Sequence, residues 1–98
     1  MYGTVMIGKL NATREQVMQA SEDWNHKYQV QGHRRTDTMF ADDGETVVVA
    51  VQFASKEEYL QLADSPEQDH WWRTVMRPML RDEPTWIDGN WDKSLTTS

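Results

Sequence analysis

The sequence predicts an α+β fold, a four-stranded antiparallel sheet with two helices on one face, and three observations predict it. Residues 45–53 form a run that is long, apolar and free of Gly and Pro, which suits a buried central strand. Two segments, opening at Thr13 and at Ser55, place Gln16 and Glu58 three residues after the cap and then show apolar residues at helical spacing. The 98 residues suffice for one domain with a modest core.

On the central strand Val47, Val49, Val51 and Phe53 alternate with Val48 and Ala50, so both faces are apolar and both want covering. Helices of the same chain cover one face. A partner subunit is expected on the other.

Residues 2–10 read as the first strand, with Val5 and Ile7 on one face and Tyr2, Thr4, Met6 and Leu10 on the other; Gly8 marks a bulge or a close approach. The first helix carries the stripe Val17, Ser21, Trp24 and Tyr28, widened by Met18 and Ala20, and Gly32 ends the segment. Residues 33–40 are a second strand, joined to the central one through an Asp-Gly turn at 41–44. After Ser55 the residues Tyr59, Leu62 and Ala63 begin the second helix, and Ser65-Pro66 repeats the start signal, which predicts a break or restart there. Trp72, Val75, Met76 and Met79 continue the stripe, with a kink or an end at Pro78. Residues 85–91 read as an edge strand. Residues 1–92 are thus a single domain and 93–98 a polar tail with no reason to order. Strand, helix, strand, strand, helix, strand is the ferredoxin-like order, whose uncovered sheet face is expected to pack on a twin.

Sixteen acidic residues against ten basic ones, a net charge of -6, argue against a nucleic-acid partner. The absence of cysteine excludes disulfides, thiolate metal sites and a Cys nucleophile, and is compatible with a cytoplasmic location. No window approaches the ~20 apolar residues of a membrane span. Five Trp and six Met suit either a small core with a dimer interface or a pocket for a flat aromatic ligand. The three His have no metal-binding spacing, and neither a Gly-rich phosphate loop nor a G-x-S-x-G motif occurs.

Ser55-Lys-Glu-Glu-Tyr59, then Asp64-Ser-Pro-Glu67 leading into His70-Trp-Trp72, and the closing Pro84-Thr-Trp-Ile-Asp-Gly89 together resemble the antibiotic-biosynthesis-monooxygenase-like group of the dimeric α+β barrel superfamily, over about residues 2–92. The resemblance implies a homodimer with its sheets face to face and a cavity between helices and sheet in each subunit. It implies either cofactor-independent oxygenation of electron-rich polycyclic phenols or haem degradation. His70 falls about where the haem-ligating His of the haem degraders would sit, and Tyr59 near their Trp, but the first strand lacks their Asn.

His33, Arg35 and Asp37 alternate along the second strand, so they are expected on one face as a polar constellation for an acidic or phenolic group, or else as an exposed arm or interface salt bridge. His33 or His70 would accept a proton and Arg35 would stabilise an anion, while Trp24, Tyr59, Trp72 and Phe53 would form the walls. Trp71 and Trp72, about 100° apart on a helix, face different surroundings. Asp88 and Asn90 are further candidate cavity polars. These readings converge on a homodimeric protein that binds a hydrophobic, aromatic small molecule and acts as a monooxygenase without a cofactor. The alternatives are haem binding or degradation through His70, and a non-catalytic dimerisation or regulatory module.

Overall fold

In a computed structural model, described for residues 1–27, 31–93, 95 and 97, the run of valines becomes β3 (Thr46–Phe53). It lies between β2 (His33–Phe40) and β1 (Tyr2–Lys9), and β4 (Thr85–Asn90) flanks β1 on its other side. Every pairing is antiparallel. This is the ferredoxin-like split arrangement that the order of elements predicts.

Residues directly opposite one another share a sheet face, and the register therefore builds rows across the helix side. Phe40 and Val47 make one row, and Thr38, Val49, Met6 and Trp86 the next. Thr36, Val51, Thr4 and Asp88 follow, and His33, Phe53, Tyr2 and Asn90 end the series.

Helix α1 (Arg14–Lys27) starts with the predicted reciprocal cap: the Thr13 N–H donates to Gln16 Oε1 at 2.8 Å and the Gln16 N–H to Thr13 Oγ1 at 3.1 Å. Val17 and Ala20 are buried and Trp24 is half-buried, as the stripe predicts, whereas Tyr28 lies outside the described residues. The second helical region is two α-helices, α2 (Lys56–Ala63) and α3 (Pro66–Trp71). Ser55 and Ser65 each accept the N–H three residues on, at 3.2 and 3.1 Å. Proline at the first position of α3 has no N–H to extend α2, so the chain restarts at Ser65.

Beyond Trp71 the chain widens into a π-turn over Trp72–Met76 and tightens into a 3₁₀ turn over Arg77–Met79. Pro78 has no N–H for the carbonyl of Thr74, and the Arg77 N–H reaches back to the Trp72 carbonyl instead.

Two clusters make the core. Met6, Val47 and Leu80 form one, Val17, Ala20 and Met76 the other, and Leu10, Phe40 and Trp72 touch both. Leu80 explains Gly8: a Cβ there would sit 3.1 Å from Leu80 Cδ2, the close approach that a glycine within a strand signals. Gly32 has φ 83° and the Glu58 side chain packed on its Cα, so it is needed for conformation and for space.

At the hairpin end, Asp43 accepts hydrogen bonds from Thr46 Oγ1 (2.6 Å) and from the N–H groups of Glu45 (2.9 Å) and Thr46 (2.8 Å), which hold its carboxyl well below the usual range. Lys9 and Arg81 reach Glu45 at 3.4 and 3.0 Å. These exposed pairs each add little stability; what they do is tie the turn to β1 and to the segment after the 3₁₀ turn.

Among the described residues no helix covers the opposite sheet face. Val5, Ile7, Val48, Ala50, Met39 and Ile87 line it, with Met39 57% and Ile87 56% exposed. A depression of about 160 Å³ there is lined by Gly3, Val5, Ile87, Gly89 and Trp91 among others. Among the described residues no helix is long and apolar enough to cross a membrane.

Leu80→Ala removes a side chain that is 2% exposed at the meeting point of β1 and the 3₁₀ turn. It should cost about 2–5 kcal/mol, read as a fall in the urea midpoint at unchanged m-value.

Candidate functional site

Along its helix-facing side β3 is buried at both ends, Val47 at 0% and Phe53 at 1%, yet Val49 and Val51 between them are only half-buried. Their neighbours on β2, Thr38 and Thr36, are half-buried and exposed. A central strand under helices stays partly open in its middle only where the helices part above it. We read this strip of Val49, Val51, Thr36 and Thr38 as the floor of a candidate cleft on the helix side.

Aromatic side chains stand at its ends. Tyr59 of α2 packs on Tyr2 and on Phe53, each with ring centroids 5.4 Å away, and His33 meets the Phe53 ring edge-on at 5.8 Å. At the other end Trp72 packs edge-to-face on Trp86 at 5.1 Å, and Trp71 packs on Trp24 at 4.9 Å. The structure thus brings His33, Phe53 and Tyr59 together and sets Trp72 and Trp24 opposite them. The two adjacent tryptophans of the helical region take different indole partners, as their angular separation predicts.

One sequence expectation is corrected here. His33, Arg35 and Asp37 do not share a face, because the register shifts between His33 and Arg35. Such a β-bulge turns the residue before it over relative to strict alternation. His33 lies opposite Phe53 on the helix side and its Nε2 is 2.6 Å from Thr36 Oγ1. Arg35 and Asp37 face the other way, paired to each other at 2.6 Å with both side chains more than half exposed. Arg35 therefore cannot steady an anion in the cleft of its own subunit.

His70 also stands apart. The break at Ser65 separates its helix from that of Tyr59, so the two do not line one helical face. On α3 and the turn after it Gln68, Trp71, Trp72, Val75 and Met76 point inward, whereas His70 is exposed with Arg73 and Thr74. An imidazole on the solvent side does not fit an iron held between helices and sheet. Among the described residues no three His, Cys, Asp or Glu side chains are grouped to hold a metal ion.

Burial pushes the His33 imidazole below its ordinary value, which keeps it neutral at pH 7 and able to accept a proton. Tyr59 is pushed up, first by burial and then by the charge of Asp88, so it stays a protonated phenol. Its hydroxyl donates to Asp88 Oδ1 at 3.3 Å. Tyr2, Trp86 and Thr36 lie against Tyr59, Trp72 and His33 respectively. Periodicity alone had put Tyr2 and Thr4 on one face; what it lacked was the register that sets them beside Asn90 and Asp88.

No family model and no curated protein matches this chain. Solved structures do. A monooxygenase from Streptomyces coelicolor, solved with nanaomycin D, is 17% identical with a TM-score of 0.78, over 99% of this chain and 92% of that one. SnoaB, a cofactor-independent oxygenase from Streptomyces nogalater, is 12% identical with a TM-score of 0.71, over 97% and 94%. The hydroxynitrile lyase of Passiflora edulis is 11% identical with a TM-score of 0.68, over 97% and 96%. At such identities the likeness is one of fold, and one fold hosts several chemistries. Topology, register and these likenesses agree that the chain has the ferredoxin-like α+β fold of the antibiotic biosynthesis monooxygenases.

Proposed function

We propose that this chain is a homodimeric protein that binds a hydrophobic, electron-rich aromatic molecule in the helix-side cleft and oxygenates it without a cofactor. The observation that carries the reading is a neutral, half-buried His33 at one end of an aromatic-walled cleft whose valine floor is left open. The shared fold with a cofactor-independent oxygenase supports it.

In the tautomer in which Nε2–H donates to Thr36, the His33 Nδ1 lone pair is free to take a phenolic proton. The resulting phenolate is electron-rich enough to give electrons to dioxygen directly. One oxygen atom bonds to ring carbon and becomes a carbonyl as that carbon loses its hydrogen, and the other leaves as water; the phenol is thereby oxidised to a quinone. The protein supplies the proton acceptor, the flat walls and the exclusion of water. Tyr59, Trp72 and Trp24 are the walls of this site, with the sealed Phe53 ring backing Tyr59.

The uncovered face supports the dimer. An apolar surface that includes Val5, Ile7, Ala50, Met39 and Ile87 is large for a face left to water, and a second copy of the same sheet would bury it, with Arg35 and Asp37 at its rim.

Oxygen uptake with a polycyclic phenol should fall at least about 100-fold in His33→Ala, the usual range for a proton acceptor, and stay within about twofold in His70→Ala. Unchanged uptake in His33→Ala removes His33 from the chemistry.

A carbon-detected NMR titration should place the His33 midpoint below 6.5. Since the folded value lies below the unfolded one, stability linked to His33 is full above pH 6.5 and declines as pH falls through the folded midpoint. A midpoint at or above 6.5 contradicts the burial argument.

Sedimentation should give a dimer, and Ile87→Lys, on the uncovered face, should give a folded monomer. A dimer that survives Ile87→Lys uses some other surface.

A further inference from the structure

On a regular strand His33 and Thr36 could not meet, because side chains three residues apart point to opposite faces. Yet His33 Nε2 lies 2.6 Å from Thr36 Oγ1. The bulge makes the contact. His33 lies opposite Phe53 and Arg35 opposite Gln52, so Arg34 is the extra residue, and Thr36, opposite Val51, becomes the next helix-side residue after His33. The Phe53 ring stands edge-on to the imidazole, with centroids 5.8 Å apart and planes at 77°, and bounds it on the β3 side. The imidazole is therefore held by an apolar ring and by one hydroxyl, and the hydroxyl engages one of its two ring nitrogens. Thr36 itself is exposed, so its own proton can go to water.

We propose that Thr36 is a positioning residue: its hydroxyl accepts from Nε2–H of His33 and so fixes the tautomer and the ring attitude in which Nδ1 is the proton acceptor. A hydroxyl suits this task because Nε2–H can donate to it from both the neutral and the protonated ring. When the phenol O–H breaks and its proton bonds to Nδ1, the bond to Thr36 is kept and becomes charge-assisted, and the ring need not turn. The proton ends on the oxygen atom that leaves as water. Thr36 also carries no charge, so it orients the imidazole without the raised proton affinity that a carboxylate at this place would bring. This inference rests on His33 being the proton acceptor and goes beyond it by assigning the accepting nitrogen and the residue that selects it.

The test joins a spectrum to a rate. Long-range proton–nitrogen NMR of the full chain at pH 7, with the His33 ring assigned through bonds to its backbone, should show Nε2 protonated and Nδ1 bare. Thr36→Val keeps the shape and the strand preference of the side chain and removes the acceptor. In it the Nε2 proton should exchange with water roughly fivefold faster or more, as the loss of one hydrogen bond implies. Oxygen uptake with a polycyclic phenol should show kcat at least about tenfold lower in Thr36→Val with KM within about twofold, and Thr36→Ser should restore most of it. Thermal midpoints recorded for both variants show that the fold is intact. A His33 ring bare at Nε2 in the natural sequence, an unchanged kcat in Thr36→Val, or an equal loss in Thr36→Ser overturns the role of Thr36 while leaving His33 as the base. Unchanged uptake in His33→Ala, or no uptake by the natural sequence, overturns the base and the role of Thr36 together.

Discussion

Everything on the helix side follows from how β3 is covered. Val47 and Phe53 are sealed and Val49 and Val51 are not, although the four share one face of one strand. Burying the middle as well would stabilise the sheet by about 25 cal/mol for each Å² removed from water, and the chain forgoes that gain. The core at the Val47 end, built with Met6 and Leu80, and the ring cluster at the Phe53 end, built with Tyr2 and Tyr59, hold the sheet without closing its centre. A molecule that filled the gap would gain the burial the helices leave unused.

The parting of the helices has a cause in the chain. One unbroken helix from Ser55 to Met79 would be a single rod above the sheet. Proline at 66 and again at 78 divides it, and each piece settles on its own anchor. Tyr59 fastens α2 to the rings of β1 and β3. Trp72 and Met76 fasten the π-turn to the core shared with α1. Trp71 and Trp72, about 100° apart where α3 meets the π-turn, take different partners, Trp71 on Trp24 and Trp72 on Trp86. Wide turns of this kind recur where a helix must aim a side chain at a site.

Much of this was legible in the residues. Alternation on β1 and β3, the paired caps at Thr13 and Ser55, and the restart at Ser65-Pro66 placed the elements to within a residue or two, because short-range sterics and local hydrogen bonds decide them. The site was less legible, for three reasons. Alternation cannot see a bulge, and the one after His33 turns that residue to the side opposite Arg35. Helical spacing cannot carry a face across a break, so the sequence does not show that α3 turns His70 to solvent. Register is a long-range property: nothing local in Asp88 says that it will lie beside Thr4 and under the Tyr59 hydroxyl. That Trp24, Phe53, Tyr59 and Trp72 pack against other rings was legible for the opposite reason, since large rings in so short a chain have few places to go.

The two indole pairs have an optical consequence. Trp24 with Trp71 and Trp72 with Trp86 hold their ring centres 4.9 and 5.1 Å apart and tilted rather than parallel, at 34° and 62°. Transition dipoles that close and that skewed exchange excitation, which splits the indole absorption into a signed couplet in circular dichroism. Both pairs stand at the tryptophan end of the cleft. A change of a few degrees in the attitude of α3 would alter the couplet, so the protein carries its own label-free goniometer for that helix.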